Sequence, residues 1–286
     1  MVENVWGSVR NVDTSQSGKA TRTSLSGRPG RPGRPGGTQV VARVAGILRI
    51  VSQMMPEGAA TGEIAARAGL TRPTAHRLLS SLTTEGLIDR DPGSGRWMLG
   101  PEIFLMGTVA ADRYDVSRLA GEHVSALARE TGESAFFSAR RGDETVCLLR
   151  EDGSFPVRSF VLHEGRRFPL GVASAGLAIL AFMPDAAVDR YLDQAELHRD
   201  YGESHSPGQI RERIAETRRS GYAVNPGLIV EGSWGMGAAV FASGGQPSWA
   251  LSLTGIEHRF AAGRRRHLGA LLLDHAHQLS QRLSQS

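Results

Sequence analysis

Residues 61–78 read TGEIAARAGLTRPTAHRL, and this stretch decides the fold class of the N-terminal part of the chain. It contains two short segments with apolar residues at helical spacing, separated by Gly69. Thr61 and Thr71 stand where the two helices would begin, and threonine commonly caps a helix. Two short helices joined by a glycine turn are typical of a helix-turn-helix, an element that reads DNA.

The second helix of this element is predicted to present polar side chains to DNA. At 100° per residue, Arg77 lies opposite the apolar face, and Thr74 and His76 flank that face. The N-terminal end of such a helix enters the major groove, where arginine can bind guanine with two hydrogen bonds. The candidate DNA-contacting residues of this helix are Arg72, Pro73, Thr74, His76 and Arg77.

A β-hairpin is predicted directly after these helices. The segment LIDRDPGSGRWML, residues 87–99, has two short strand patterns around a glycine-containing turn. An amphipathic helix that starts near Val41 precedes the helix-turn-helix. Together these elements predict a winged helix-turn-helix domain over residues 39–101, in which Ser94 and Arg96 of the wing lie on the DNA backbone.

Residues 1–38 are predicted to be a disordered basic tail, because they hold too few apolar side chains to offset the entropy of ordering. The triplet Gly-Arg-Pro occurs three times in succession and carries Arg28, Arg31 and Arg34. An extended chain bearing arginines suits the narrow minor groove of A·T-rich DNA, as in AT-hook motifs. A flexible basic linker without groove insertion is the alternative, and in both interpretations the tail helps to hold DNA.

A second domain is predicted beyond the wing. Residues 102–116 have the texture of a linker helix, and residues 117–286 show strands and helices in mixed order. Ser134–Arg140 and Glu144–Arg150 read as a hairpin, and Val157–Leu162 as a further strand. This mixture indicates an α+β domain.

Bulk properties limit the classes of function. The chain of 286 residues is long enough for two cores. It has no apolar run near the ~20 residues of a membrane span, so no membrane partner is expected. Cys147 is the only cysteine, which excludes an intrachain disulfide, and we expect a cytoplasmic location.

No catalytic, metal or cofactor site is predicted. Cys147 lies in an apolar strand pattern and is expected to be a buried thiol. His267, His275 and His277 lack a chelating spacing and are expected to be solvated, and the glycine-rich segment at 232–237 lacks the P-loop lysine. Two alternatives to a regulator remain: an architectural protein that coats A·T-rich DNA, and a small-molecule hydrolase or lyase fused to a DNA-binding domain.

From Val41 to the C-terminus the sequence resembles the IclR family of regulators. The matching segments are LTRPTAHRLL at 70–79, GRWMLG at 95–100, TGES at 131–134, FPL at 168–170, GYAV at 221–224 and AAVF at 238–241. The resemblance implies a winged helix joined by a linker helix to a GAF-like effector domain. It also implies dimers or dimers of dimers on double-stranded operator DNA, with binding modulated by a small organic acid or related metabolite.

The resemblance also maps an effector pocket onto this chain. By motif position it comprises Val157, Phe160, Ser174, Ala175, Asn225, Gly235, Ser252 and Thr254. Such a set combines hydroxyls, an amide and backbone N–H groups with apolar walls. Family members often carry acidic residues at 226–228, a cysteine at Gly235 and a lysine at Leu177. The residues at these positions in this chain therefore imply a pocket that is less charged and roomier than is usual in the family.

Overall fold

The computed structural model describes residues 36–111 and 116–285. The predicted Gly-Arg-Pro tail, with Arg28, Arg31 and Arg34, lies outside the described residues. The chain divides into two compact units, residues 1–109 and 110–286, which are described separately. None of the helices within the described ranges combines the length and apolar character that crossing a membrane requires.

The N-terminal unit is a three-helix domain with a two-stranded wing. Its core comprises large apolar side chains from the three helices and from both strands of the wing, which pair antiparallel. The described part of the linker helix ends at Ala111, and the next helix begins at Val116. The elements are α1 (Gly36–Ser52), α2 (Thr61–Ala68), α3 (Arg72–Thr84), β1 (Ile88–Arg90), β2 (Trp97–Leu99) and α4 (Pro101–Ala111).

The C-terminal unit is built on one six-stranded sheet in the order β5-β4-β3-β8-β7-β6, with all neighbouring strands antiparallel. This mixture of helices and antiparallel strands confirms the α+β class. Its strands are β3 (Ser134–Arg141), β4 (Glu144–Glu151), β5 (Arg167–Pro169), β6 (Ala223–Pro226), β7 (Ser233–Phe241) and β8 (Pro247–Ile256). Its helices are α5 (Val116–Thr131), α6 (Ser174–Ala181), α7 (Asp185–Gln194), α8 (Leu197–Tyr201), α9 (Pro207–Ser220) and α10 (Ala262–Gln285).

Both faces of the sheet are covered, so its strands are apolar on both sides. Phe137 and Leu251 lie on the face that packs against α5 and α10. Phe136 and Ala250, one residue away in each strand, lie on the opposite face against α6. This alternation follows from the two-residue period of a β-strand. The α6 face holds the cavity described below.

Two expectations from the sequence are wrong. Val157–Leu162 is irregular rather than a strand and pairs with none of the described strands, because its apolar residues Val161 and Leu162 pack into the core from a loop. His275 was expected in solvent but is buried at 8% exposure, with its Nδ1 atom 3.0 Å from Nδ1 of His123. His275 lies on the buried stripe of α10 together with Leu268, Leu272 and Leu279, a helical spacing visible in the sequence.

Candidate DNA-binding surface and candidate effector cavity

The turn between α2 and α3 is fixed by backbone geometry. Gly69 ends α2 in the left-handed region, with φ of 62°, where glycine carries no Cβ penalty. Thr71 caps α3, and its Oγ1 accepts the N–H of Thr74 at 3.4 Å. Ala75 and Leu79 are fully buried in the domain core. The opposite side of α3 is consequently turned to solvent.

The residues predicted to contact DNA lie on this exposed side of α3. Arg72, Pro73, His76 and Arg77 are exposed, and Thr74 is half-buried. Arg72 and Arg77 form no ion pair within the described part of the chain. Two arginines without a carboxylate partner, one at the start of α3 and one a turn further along its exposed side, are well suited to phosphate or guanine.

Ser94 and Arg96, the two wing residues predicted to contact DNA, differ in their surroundings. Ser94 is exposed at the tip, where its hydroxyl and N–H donate to the Asp91 carboxylate at 2.6 and 2.7 Å. These bonds hold the pKa of Asp91 below its ordinary value. Arg96, by contrast, donates to the Gly58 carbonyl and to Glu63, both at 3.0 Å. Its guanidinium therefore joins the wing to the start of α2, and its side chain is 34% exposed.

Trp97 ties the wing to both helices, a role that the sequence analysis missed. Its Nε1–H donates to Thr61 Oγ1 at 2.8 Å, so the Thr61 hydroxyl does not cap α2 as expected. The Glu63 carboxylate accepts the Ala60 N–H at the start of that helix instead, at 2.8 Å. The His76 ring meets Trp97 edge to face, with centroids 6.3 Å apart. These contacts fix the start of α2 and the side of α3 relative to the wing.

In the C-terminal unit a cavity lies between the sheet and the N-terminus of α6. The centre of a water-sized sphere can move within about 30 Å³ of it, inside about 460 Å³ of space between atoms that extends into open solvent. Five residues of the predicted effector set line it: Ser174, Ala175, Asn225, Gly235 and Thr254. Other lining residues were not predicted from the sequence, among them Ser138, Thr145, Ser233, Phe168, Ile229 and Trp234.

Three residues of the predicted set lie elsewhere. Val157 and Phe160 are 59% and 68% exposed, on the outer side of the loop that was expected to be a strand. Ser252 is fully buried beneath α6, opposite Gly237 in the sheet register, and does not line the cavity. A motif alignment places these residues near the cavity but cannot tell which side of a loop or how deep in a sheet each one lies.

Two glycines of β7 bring α6 close to the sheet. A Cβ atom at Gly237 would lie 2.9 Å from the Ser174 carbonyl oxygen, and one at Gly235 would lie 3.1 Å from Ser174 Oγ. The first turn of a helix has N–H groups without partners inside the helix. Ala173, the residue before α6, offers no side-chain cap for them. The first turn of α6 therefore leaves N–H donors at the cavity wall.

The remaining polar groups of the cavity divide into committed and unsatisfied ones. Asn225 donates to the Val172 carbonyl at 2.7 Å and accepts the Leu228 N–H at 3.0 Å, so its amide shapes the surrounding loops. Thr254 Oγ1 is buried and has no hydrogen-bond partner within the described residues. A buried hydroxyl left unsatisfied is costly. The described lining carries no charged side chain.

The N-terminal unit is a winged helix that exposes one side of α3, and the C-terminal unit contains a partly enclosed cavity. These two features define the class of ligand-responsive DNA-binding regulators. Sequence comparison identifies the family. Residues 40–92 match the IclR helix-turn-helix domain, and residues 108–281 match the bacterial transcriptional regulator IclR C-terminal domain. The chain belongs to the IclR family of bacterial transcriptional regulators. Its helix-turn-helix domain binds DNA, and its C-terminal domain binds an effector.

Individual relatives agree with this assignment. The HTH-type transcriptional regulator KipR of Bacillus subtilis (strain 168) is 29% identical over 222 residues, which span 77% of this chain and 88% of that protein. The transcriptional repressor IclR of Escherichia coli (strain K12) is 24% identical over 220 residues, 76% and 80% of the two chains. A crystal structure of an IclR homolog complexed with 4-hydroxybenzoate, from Microbacterium hydrocarbonoxydans, matches with a TM-score of 0.68. That protein is 22% identical, and the match covers 86% of this chain and 100% of that chain.

Proposed function

We propose that a small organic acid or related polar metabolite binds the cavity at the start of α6 and thereby changes the affinity of α3 for operator DNA. The buried Thr254 hydroxyl without a partner carries this proposal, because a ligand would supply the missing hydrogen bond. N–H groups of the first turn of α6 favour a carboxylate, since a helix N-terminus attracts negative charge. The 4-hydroxybenzoate of the homologous structure is therefore a sensible first compound to test.

We further propose that the regulator is a homodimer, with a dimer of dimers as a higher state. Helix α4 exposes four large apolar side chains, Phe104 at 74%, Leu105 at 53%, Met106 at 58% and Val109 at 79%. Contiguous exposed apolar surface marks an interaction site. A second copy is the occupant expected for a helix-turn-helix protein that reads a two-fold symmetric operator. Such a regulator would act in the cytoplasm, where bacterial DNA lies.

The proposal includes no enzymatic activity. The relatives named above are transcriptional regulators. Cys147 is buried, and burial raises the pKa of its thiol to about 12, so it is a poor nucleophile. The described residues hold no group of three or more His, Cys, Asp or Glu side chains placed for a metal ion.

The test of the cavity is calorimetry of the full chain with 4-hydroxybenzoate and other carboxylic acids. Thr254→Val keeps the side-chain shape and removes the hydroxyl, so we expect about a tenfold loss of affinity, equal to about 1.4 kcal/mol. Thr217→Val is the matched control, because Thr217 is a buried threonine in α9 that donates to the Arg213 carbonyl at 2.7 Å. Equal affinities for the wild type and Thr254→Val would show that the ligand does not bind this hydroxyl.

A further inference from the structure

A surface groove adjoins the cavity in the C-terminal unit, and we call it the outer groove. It is lined by residues 158–161 of the loop over the sheet, residues 230–233 before β7, and residues 256–258 at the end of β8. Val161 and Ser233 line both the outer groove and the cavity. The two spaces are therefore separated by a wall one residue thick.

A single side-chain hydrogen bond closes this wall. The hydroxyls of Ser159 and Ser233 lie 2.6 Å apart and join the loop to the start of β7. Further back, the same loop is anchored firmly, because Arg259 donates to the Val157 carbonyl at 3.0 Å while it also binds the buried Glu133 carboxylate. Loss of the Ser159–Ser233 hydrogen bond would leave the attachment at Val157 in place.

The outer groove also gathers the exposed apolar surface of its unit. Among residues 116–285, the large apolar side chains that are exposed are Val157, Phe160 and Val230. Phe160 is 68% and Val230 is 42% exposed, and both line the outer groove. The other side chains of the outer groove include Arg158, Glu231, Glu257 and His258, and exposed apolar surface with a polar rim marks a binding site.

We propose that the outer groove is a second compartment of the effector site and that the effector is an elongated amphipathic acid. This inference rests on the proposed function. The polar head lies at Thr254 and the start of α6, and an acyl or aryl tail passes between Val161 and Ser233 onto Phe160 and Val230. Continuity with the cavity favours this occupant over a protein partner. The uncharged lining of the cavity is compatible with one carboxylate at the helix end and an apolar remainder.

The test is a calorimetric series with straight-chain monocarboxylates from acetate to decanoate, using the full chain. Once the chain is long enough to leave the cavity, affinity should rise by up to about fourfold per added methylene. Phe160→Ala and Val230→Ala should reduce the affinity for the long acids and leave that for the short acids unchanged. Val41→Ala, an exposed valine of the N-terminal unit, is the matched control for Val230→Ala.

Several results would overturn the inference. Binding of short acids with no gain in affinity along the series rejects the outer compartment and leaves the proposed function intact. A gain that survives both Phe160→Ala and Val230→Ala places the tail elsewhere. No binding by any acid of the series rejects the ligand class, while a response of operator binding to another metabolite would still support the proposed function. A change in sedimentation of Phe160→Ala, without an effect on the series, assigns the outer groove to contact between copies.

Discussion

The guanidinium of Arg96, at the base of the wing, binds the carboxylate of Glu63 in α2 at 3.0 Å. The same carboxylate accepts the Ala60 N–H, so one acidic side chain serves both the wing and the start of the helix. Sequence pattern alone placed Arg96 on DNA. The structure gives this arginine an internal partner, whereas Arg72 and Arg77 of α3 have no ion-pair partner among the described residues.

Arg96→Ala should therefore destabilise the fold more than it weakens operator binding. The side chains of Arg96 and Glu63 are 34% and 46% exposed, and pairs of this kind contribute about 0–1 kcal/mol. Urea unfolding of the full chain should show a loss in that range. Glu63→Gln should show a similar loss, and the double variant should lose less than the sum of the two. If Arg96→Ala is fully folded but loses much of its operator affinity, Arg96 contacts DNA after all.

Arg77→Ala should behave in the opposite way. Arg77 is exposed on α3 and has no ion-pair partner among the described residues, so its removal should leave unfolding unchanged. Loss of a guanine or phosphate contact should cost about 1–3 kcal/mol of operator affinity. Fluorescence anisotropy with a labelled operator measures this cost, with Arg96→Ala as the arginine control. Wild-type affinity in Arg77→Ala would exclude this residue from the interface.

The Gly-Arg-Pro tail should add affinity that depends strongly on salt. If Arg28, Arg31 and Arg34 each neutralise one phosphate, replacing all three with alanine should lower the magnitude of the log–log salt slope by about 2.7. Operator titrations at several salt concentrations measure the slope. An unchanged salt slope and an unchanged operator affinity would show that the tail does not contact DNA.

Acid should destabilise the C-terminal unit through the pair His123 and His275. Burial and the neighbouring His275 lower the pKa of His123 in the folded state. The unfolded chain then binds more protons as the pH falls below about 6.5, the ordinary histidine value, so stability decreases in that window. His123→Gln should flatten the decrease of the melting temperature between about pH 7.5 and 5.5, a window set by that ordinary value.

His277 provides the control for this pH experiment. It is exposed on the same helix as His275, and its Nε2 atom lies 2.9 Å from Gln281 Nε2. His277→Gln should retain the pH dependence of the wild type. If His123→Gln retains it as well, the dependence arises from other groups, among which Glu122, Glu130 and Asp274 lie nearest to the pair.

The elements with a strong local signal were predictable from the sequence. The break at Gly69 and the apolar spacing of α3 place the helix-turn-helix within a few residues of its observed bounds. The hairpin of β3 and β4 was found because its two strand patterns flank a tight turn. In each case the information lies within about twenty consecutive residues.

What the sequence analysis missed depends on contacts between distant residues. The loop at 157–162 reads VRSFVL and is as rich in apolar residues as a strand, but only the neighbouring β7 and β8 show that it lies over a cavity. Asn225 was predicted as a ligand group, and only the structure shows that its amide also binds Val172 and Leu228. Trp97 joins the wing to α2 through Thr61, which is 36 residues away in sequence. The distance from Trp97 Nε1 to Thr61 Oγ1 is 2.8 Å.

The central claim is that occupancy of the cavity changes operator affinity, and one measurement tests it directly. Operator dissociation constants are measured by anisotropy without ligand and with a saturating amount of the acid that binds most tightly in calorimetry. We predict a change of about tenfold, equal to a coupling of about 1.4 kcal/mol, and an equal change in acid affinity when operator is present. Thr254→Val should need more acid for the same response, and Thr217→Val should not. An acid that occupies the cavity and leaves the operator dissociation constant unchanged would contradict the account.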